Sequence, residues 1–263
     1  MPFRLDRYLD RIGVTGAVAP DLATLKALHA AHVEAIPFDC LDPLLDLASL
    51  QNKLVDCRRG GYCHEQNALF SAALDAIGFK VTGLGGRARW TDPPDSPLGP
   101  RTHMLLKVDL PEGPFIADVG FGACVMDAPL EFKTGVDQRT AMGTYRLSEA
   151  DGLFWLSAKQ PESWRMMYAF NLEPQLPADY ELANYYTSTS PQALFTSKLI
   201  MERVGRDERY KLVNRRFRVE ARDGELLSER NVESADELRR VLDETFNVDS
   251  PTPVERLFAR IGD

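Results

Sequence analysis

The chain has 263 residues, 44% of them hydrophobic and 27% charged, with a formal net charge of -8. That length exceeds one small core and points to two or three domains of an ordinary globular protein. The acidic balance argues against nucleic acid or an anionic membrane as main partner, no apolar run approaches the roughly 20 residues of a membrane span, and acidic residues arrive too early after Met1 for a signal peptide.

Leu5, Tyr8, Leu9 and Ile12 share one face of a short helix closed by Gly13. Asp21 is placed to cap a second helix, which carries Leu22, Leu25, Leu28, His32 and Val33 and ends before Pro37. His29 and His32 have no cysteine or carboxylate at ligand spacing and read as packing or surface residues. Ile36 to Asp42 reads as a non-helical connector, and a third helix is expected from Leu47 to Val55. A glycine elbow, Gly60-Gly61, precedes Tyr62-Cys63. Beyond it Leu69, Phe70, Ala73, Leu74 and Ile77 recur at helical spacing up to a capping Gly78. The N-terminal region is thus expected to be all-helical.

After Gly78 the period changes. Lys80 to Leu84, Gly86 to Trp90, His103 to Leu110 and Pro114 to Phe121 read as strands, with a Pro-rich loop over 91–100. Tyr145 to Ser148 and Phe154 to Ser157 form a hairpin around Asp151-Gly152, a pair suited to a type I′ turn. Trp164 to Phe170 adds another strand, and the region predicts a small antiparallel barrel or curved sheet. Pro177 to Tyr186 reads as a helix. Strands follow at Leu199 to Val204, Tyr210 to Glu220 and Glu225 to Arg230, the last two turned by Asp223-Gly224. Ser234 with Glu237 makes a capping box for a helix to about Phe246, and a short helix follows Pro253. Arg215-Arg216-Phe217-Arg218 reads as a solvated basic face.

The chemistry-bearing residues are few. Cys40, Cys57, Cys63 and Cys124 are widely spaced, match no zinc pattern and no dense disulfide framework, and point to reduced thiols in the cytoplasm. Cys63 falls in the first turn of a helix, where free N–H groups and the positive dipole end favour an anion, and a thiolate is the form that attacks carbonyls. A nucleophile needs a base and a group that orients the base. His64 is adjacent to Cys63, and neighbouring helical side chains point apart. His103 starts a strand, and Asp118 ends the next in Ala117-Asp118-Val119-Gly120-Phe121-Gly122. A hairpin around Pro111-Glu112-Gly113 brings the two to the same open end. Singly, each residue has a structural reading: a buried helix-start thiol, a strand-end histidine, a turn aspartate. Together, the three favour nucleophilic catalysis.

Arg59-Gly60-Gly61-Tyr62-Cys63-His64-Glu65-Gln66-Asn67, His103 and Asp118-Val119-Gly120-Phe121-Gly122 resemble the arylamine N-acetyltransferases, as do Ile36-Pro37-Phe38-Asp39, Phe170-Asn171-Leu172 and Asn184 to Pro191. The resemblance covers most of residues 3 to 200. It implies an α+β fold of three domains with a cysteine-proteinase-like core: a helical bundle over 1–82 carrying the cysteine, an antiparallel β-barrel over 83–190 carrying the histidine and aspartate, and an α/β lid over 191–263. It implies Cys63, His103 and Asp118 as the catalytic triad, Phe38 and Phe121 as aromatics lining the acceptor site, and Trp90, Thr102, Gly120 and Gly122 around acetyl-CoA, a co-substrate, with no metal. The implied activity is ping-pong transfer of acetyl to an arylamine or arylhydrazine, with backbone N–H groups near the elbow holding the oxyanion, in a cytoplasmic enzyme of xenobiotic metabolism. The chain departs at Cys40, where an asparagine is common, and at His64, where an aromatic is frequent. Cys57 and Cys124 are expected in the core. Other readings stay open: a hydrolase of the cysteine-peptidase or transglutaminase kind, an amide synthase of the same fold that does not use CoA, and an interaction module with a vestigial triad.

Overall fold

Helix ends follow the local chemistry. The first helix, α1 (Leu5–Ile12), stops at Gly13 with a left-handed φ of 71°. The second, α2 (Leu22–Ala35), starts where the Asp21 carboxylate accepts the Thr24 N–H at 2.8 Å. The helix α3 (Leu47–Leu50) runs into a wider π-type turn over Gln51–Asp56, and α4 (Cys63–Ile77) ends on Gly78 at φ 104°. The computed structural model describes residues 3–43, 45–93, 95–221 and 224–262. Among these, no helix is long and apolar enough to cross a membrane.

Strands β2 (Lys80–Ala88), β3 (His103–Leu110), β4 (Gly113–Ala117), β5 (Leu130–Glu131), β6 (Asp137–Arg139), β7 (Thr144–Ala150), β8 (Leu153–Lys159) and β9 (Trp164–Pro174) form one antiparallel sheet in the order β5-β4-β3-β2-β9-β8-β7-β6. Its edge strands are consecutive in sequence. The Gln138 side chain bonds the Glu131 backbone in both directions, and Gly135 donates to Leu147, so the sheet curls nearly closed. The Asp151-Gly152 turn has positive φ at both residues, 54° and 73°, as a type I′ hairpin requires.

Two helices, α5 (Pro177–Thr189) and α6 (Leu194–Ser197), lead to a second antiparallel sheet of β10 (Ile200–Val204), β11 (Glu208–Val213), β12 (Arg216–Ala221) and β13 (Leu226–Asn231), packed with α7 (Ala235–Arg240), its π-type extension Val241–Phe246, and α8 (Val254–Arg260). Its fifth strand comes from the helical region. In the stretch read as a connector, Phe38–Asp39 is a strand, β1, pairing with β10 through Phe38↔Glu202 and Asp39↔Met201.

Several readings differ from expectation. Lys80 to Ala88 is one continuous strand, and the irregularity between Leu84 and Gly86 is a register shift against β9. The strand read through to Phe121 stops at Ala117, because Asp118 leaves the ladder. Tyr210 to Glu220 is a hairpin folded at Asn214, whose φ is 53°. Cys57 is exposed, at the end of the π-type turn, whereas Cys124 is buried. Asp223 of the expected Asp223-Gly224 turn lies outside the described residues.

The apolar interior has three larger parts and one small one. Tyr8, Leu25, Phe70, Leu106 and Phe115 join the helices to the back of β3 and β4; Leu84, Tyr145, Leu156 and Phe170 fill the barrel; Met201, Phe217, Leu238 and Phe246 fill the last sheet. Each fully buried Leu or Phe contributes roughly 1.5–3 kcal/mol. The fourth cluster, Phe38, Tyr62 and Cys63 with Phe195 and Ile200 against it, lies where these parts meet.

Candidate active site

The elbow before Cys63 is fixed by backbone and by buried polar groups. Gly61 donates to the Pro37 carbonyl at 3.3 Å, and Asp39 donates to the Gly61 carbonyl at 3.1 Å. The Gln66 amide, fully buried on α4, donates to the Pro37 carbonyl at 2.8 Å and the Gly61 carbonyl at 3.1 Å, while its oxygen meets His32 Nε2 at 2.7 Å. The Tyr62 N–H is capped by Glu65 Oε2 at 3.0 Å, and Lys53 Nζ pairs with Glu65 Oε1 at 2.8 Å. Cys63 is therefore the first residue of a rigidly started helix, and its sulfur lies 3.7 Å from the Thr102 carbonyl.

Asn67 sits one turn further along the same face of α4. Its Nδ2 donates to the Met104 carbonyl at 2.7 Å and to Asp118 Oδ1 at 2.9 Å, and its Oδ1 accepts the Val119 N–H at 3.1 Å. The helix that carries the thiol thus also holds the loop that carries the carboxylate. Asp118 Oδ1 further accepts the Gly120 N–H at 3.0 Å, and Oδ2 meets His103 Nε2 at 2.7 Å. Burial works against charge on both partners. The paired charges and hydrogen bonds overcome it, holding Asp118 below the usual carboxylate range. For His103, burial pulls down, but the Asp118 carboxylate and then the nearby Cys63 sulfur push it up to about 10. The Asp118 carboxylate thus favours the charged form of the ring, beside the thiol.

Gly120 and Gly122 act by close approach. A Cβ on Gly120 would stand 2.8 Å from the Cys63 Cα, and one on Gly122 2.3 Å from the Phe38 ring. Phe121 between them turns inward, its ring centroid 5.1 Å from His103 and 6.2 Å from Trp90. Phe38, Cys63, His103 and Phe121 are all between 3% and 5% exposed, so the site is closed. A cavity of about 500 Å3 lies elsewhere, with Asp42, Asn52, Lys53, Cys57 and Arg59 among its walls. Thr102 meets the thiol with its carbonyl and Trp90 is half-buried. Among the described residues no three His, Cys, Asp or Glu groups are arranged to hold a metal.

Sequence reasoning missed several residues around the three. In the sequence Gln66 and Asn67 stand out only as part of the family motif, with no structural role to read. His29 reaches the site, its Nε2 accepting the Asp118 N–H at 3.3 Å; burial pulls its pKa down to about 4. The Tyr168 ring lies 4.7 Å from His103 and 5.2 Å from Phe121. Phe195 covers Phe38 and Tyr62, at 5.8 Å from each. His64 packs between Tyr62 and Tyr180; burial, then the His103 charge, bring it down to about 3, so it is neutral.

A thiol at a helix start, beside an imidazole oriented by a carboxylate, is suited to nucleophilic acyl transfer. A family model described as N-acetyltransferase matches residues 21–253, and the arylamine N-acetyltransferase of Mycolicibacterium smegmatis is 40% identical over 228 residues, 83% of each chain. The chain belongs to the arylamine N-acetyltransferase family. The arylamine N-acetyltransferase of Escherichia coli (strain K12) is 38% identical over 93% of this chain and 88% of its own. Among solved structures, Mycobacterium marinum arylamine N-acetyltransferase in complex with CoA is similar at a TM-score of 0.92 and 36% identity, over 98% of both chains. The chain is therefore an acyltransferase, and its helices, nearly closed barrel and further sheet are the α+β fold of the arylamine N-acetyltransferases.

Proposed function

We propose that this arylamine N-acetyltransferase moves acetyl through a thioester on Cys63, with acetyl-CoA as donor and an arylamine or arylhydrazine as acceptor. The observation that carries the reading is the 2.7 Å His103–Asp118 pair beside a thiol that opens α4. The Cys63 thiolate attacks the acetyl carbonyl carbon. The oxyanion is held by first-turn N–H groups of α4, which have no helical partner. It collapses, the C–S bond to CoA breaks, and the His103 imidazolium gives its proton to the departing CoA sulfur. The now neutral imidazole takes a proton from the incoming amine as its nitrogen attacks the acetyl-cysteine, and the Cys63 thiolate leaves. Asp118 keeps the imidazole oriented and its charge stabilised throughout.

Phe38 and Phe121 pack on the acceptor ring, and Trp90, Thr102, Gly120 and Gly122 border the donor. We read residues 1–82, 83–190 and 191–263 as three units, the first giving the thiol and the second the imidazole and carboxylate. The chain's described cysteines are all free thiols, which fits a cytoplasmic enzyme. The test is kinetic and chemical together. Acetyl-CoA alone should leave an acetylated Cys63 peptide in the mass spectrum, and double-reciprocal plots at varied amine should be parallel. Intersecting lines with no acetyl-enzyme would mean direct transfer and overturn the reading.

A further inference from the structure

Guanidinium groups lie over aromatic rings at Arg146–Trp164, Arg165–Trp90, Arg215–Phe258 and Arg230–Phe217. Arg146 is also paired with Asp137, and Arg230 with Glu237. Arg165 differs. Its guanidinium carbon stands 4.5 Å from the Trp90 ring centroid, and its Nε donates to the Trp90 carbonyl at 2.8 Å. No carboxylate pairs with it among the described residues, and the side chain is exposed. The ring contact and the Nε bond together fix where the guanidinium lies. Both Nη groups are left as a preorganised, uncommitted pair of donors.

The place matters as much as the geometry. Pairing of β2 with β9 through Ala88↔Tyr168 sets Trp90 and Arg165 at the same end of the barrel. Trp90 touches Phe121, and Phe121 touches His103, so the guanidinium caps the outer end of a row of rings that leads to the imidazolium. The chain as a whole is acidic, at -8, and its field opposes an anionic substrate. A braced cation at the outer end of the site is where such a substrate gains most.

We propose that Arg165, braced on Trp90, is a recognition residue for an oxyanion carried by a substrate, a phosphate or a carboxylate, gripped by its two Nη groups at the outer end of the site. A planar fork suits either group. The inference rests on the acetyl-transfer reading for what the substrates are, but its test reads binding and needs no turnover.

Calorimetric titration of wild type and Arg165→Gln would compare CoA with pantetheine, which lacks the phosphates, and p-aminobenzoate with aniline, which lacks the carboxylate. Loss of a charge-assisted bond predicts that, within one pair, the preference for the anionic member falls about tenfold in Arg165→Gln. A shift in the CoA pair assigns the oxyanion to phosphate, and a shift in the acid pair to carboxylate. Arg165→Lys, which keeps the charge but loses the fork, should recover only part of the preference. Taking ratios within each variant removes any common loss from misfolding. Preferences unmoved within about twofold in both pairs, or equal weakening of both members, would overturn the proposal. If wild type fails to transfer acetyl while the ratio still shifts, the acetyl-transfer reading fails and the role of Arg165 stands. Normal transfer with unmoved ratios rejects the role of Arg165 alone.

Discussion

Asp118 and Glu65 are both fully buried, both accept a backbone N–H and both face a cation, and burial pushes both up, yet they end on opposite sides of the ordinary carboxylate range. Glu65 is pushed up to about 7 by burial, against the pull of Lys53. Asp118 is held down by His103, Asn67 and the Gly120 N–H despite the same burial. The cations explain the contrast. Lys53 is shared, bonding the Asp42 carboxylate at 3.1 Å as well as Glu65, with Asp39 also drawing on its charge. His103 gives one ring nitrogen to Asp118 alone. A buried carboxylate is held low when its donors are dedicated to it, and of these two the one beside the thiol has that provision.

The comparison is broken most severely at the thiol itself. Cys63→Ser should lose more than about 99% of acetyl transfer with an unchanged circular dichroism spectrum, since a serine hydroxyl is not ionised by an imidazole in the ground state. Residual activity above that in a clean preparation would remove Cys63 as nucleophile. Next is Asp118→Asn, which keeps the shape but withdraws the dedicated charge. By the precedent of buried triad aspartates, a loss of about 10²–10⁴ in kcat is expected, with iodoacetamide reacting more slowly at Cys63 near pH 6 than in wild type. An equal alkylation rate would show that the carboxylate does nothing for the imidazolium.

Glu65→Gln should act on stability more than on chemistry, changing kcat/KM only a few-fold, and its signature is the pH profile of the urea midpoint. Glu65 binds its proton more tightly folded than unfolded, near 7 against an ordinary 4.5, so its contribution is present below about 4.5 and is lost as pH rises through about 7. The variant should flatten that decline. Asp118 has the opposite sign: its contribution is present above the ordinary 3.8 and is lost as pH falls through its lower folded value. Asp118→Asn should therefore flatten the acid limb instead. The same flattened region in both variants would erase the contrast. The smallest effect is expected at Phe121→Leu, which should reorder arylamines by several-fold while changing acetylation of the enzyme by acetyl-CoA less. Equal loss in both half-reactions would point to packing on His103.

The three side chains of the proposed triad, which the structure brings together, could be picked out because each lies in a short local signal: a glycine elbow before a helix, a strand start, an aspartate before Gly-Phe-Gly. Their support could not. His29 acts through a contact with Asp118 across most of the helical region and barrel, and nothing in its own neighbourhood marks it. Asn67 bonds three backbone or carboxylate groups of a distant loop, so its role appears only once β3 and β4 are docked on α4. The two-residue strand β1 follows Pro37 and has no alternation to read, and its existence depends on β10. The fold at Asn214 has Arg215 after it, not glycine, so the hairpin signal was missing.

That two-residue strand has a consequence for the order in which the molecule is made. Asp39 and Phe38 brace the elbow through Gly61 on one side and take their sheet partners from Met201 and Glu202 on the other. During synthesis the thiol and its helix leave the ribosome early, followed by imidazole and carboxylate, while the strand that completes their frame is among the late segments. Contacts of such long sequence separation form slowly. A nascent or truncated chain ending before Ile200 thus carries Cys63, His103 and Asp118 without the closed frame around them, and the proposed nucleophile gains its full surroundings only when nearly the whole polypeptide has been delivered.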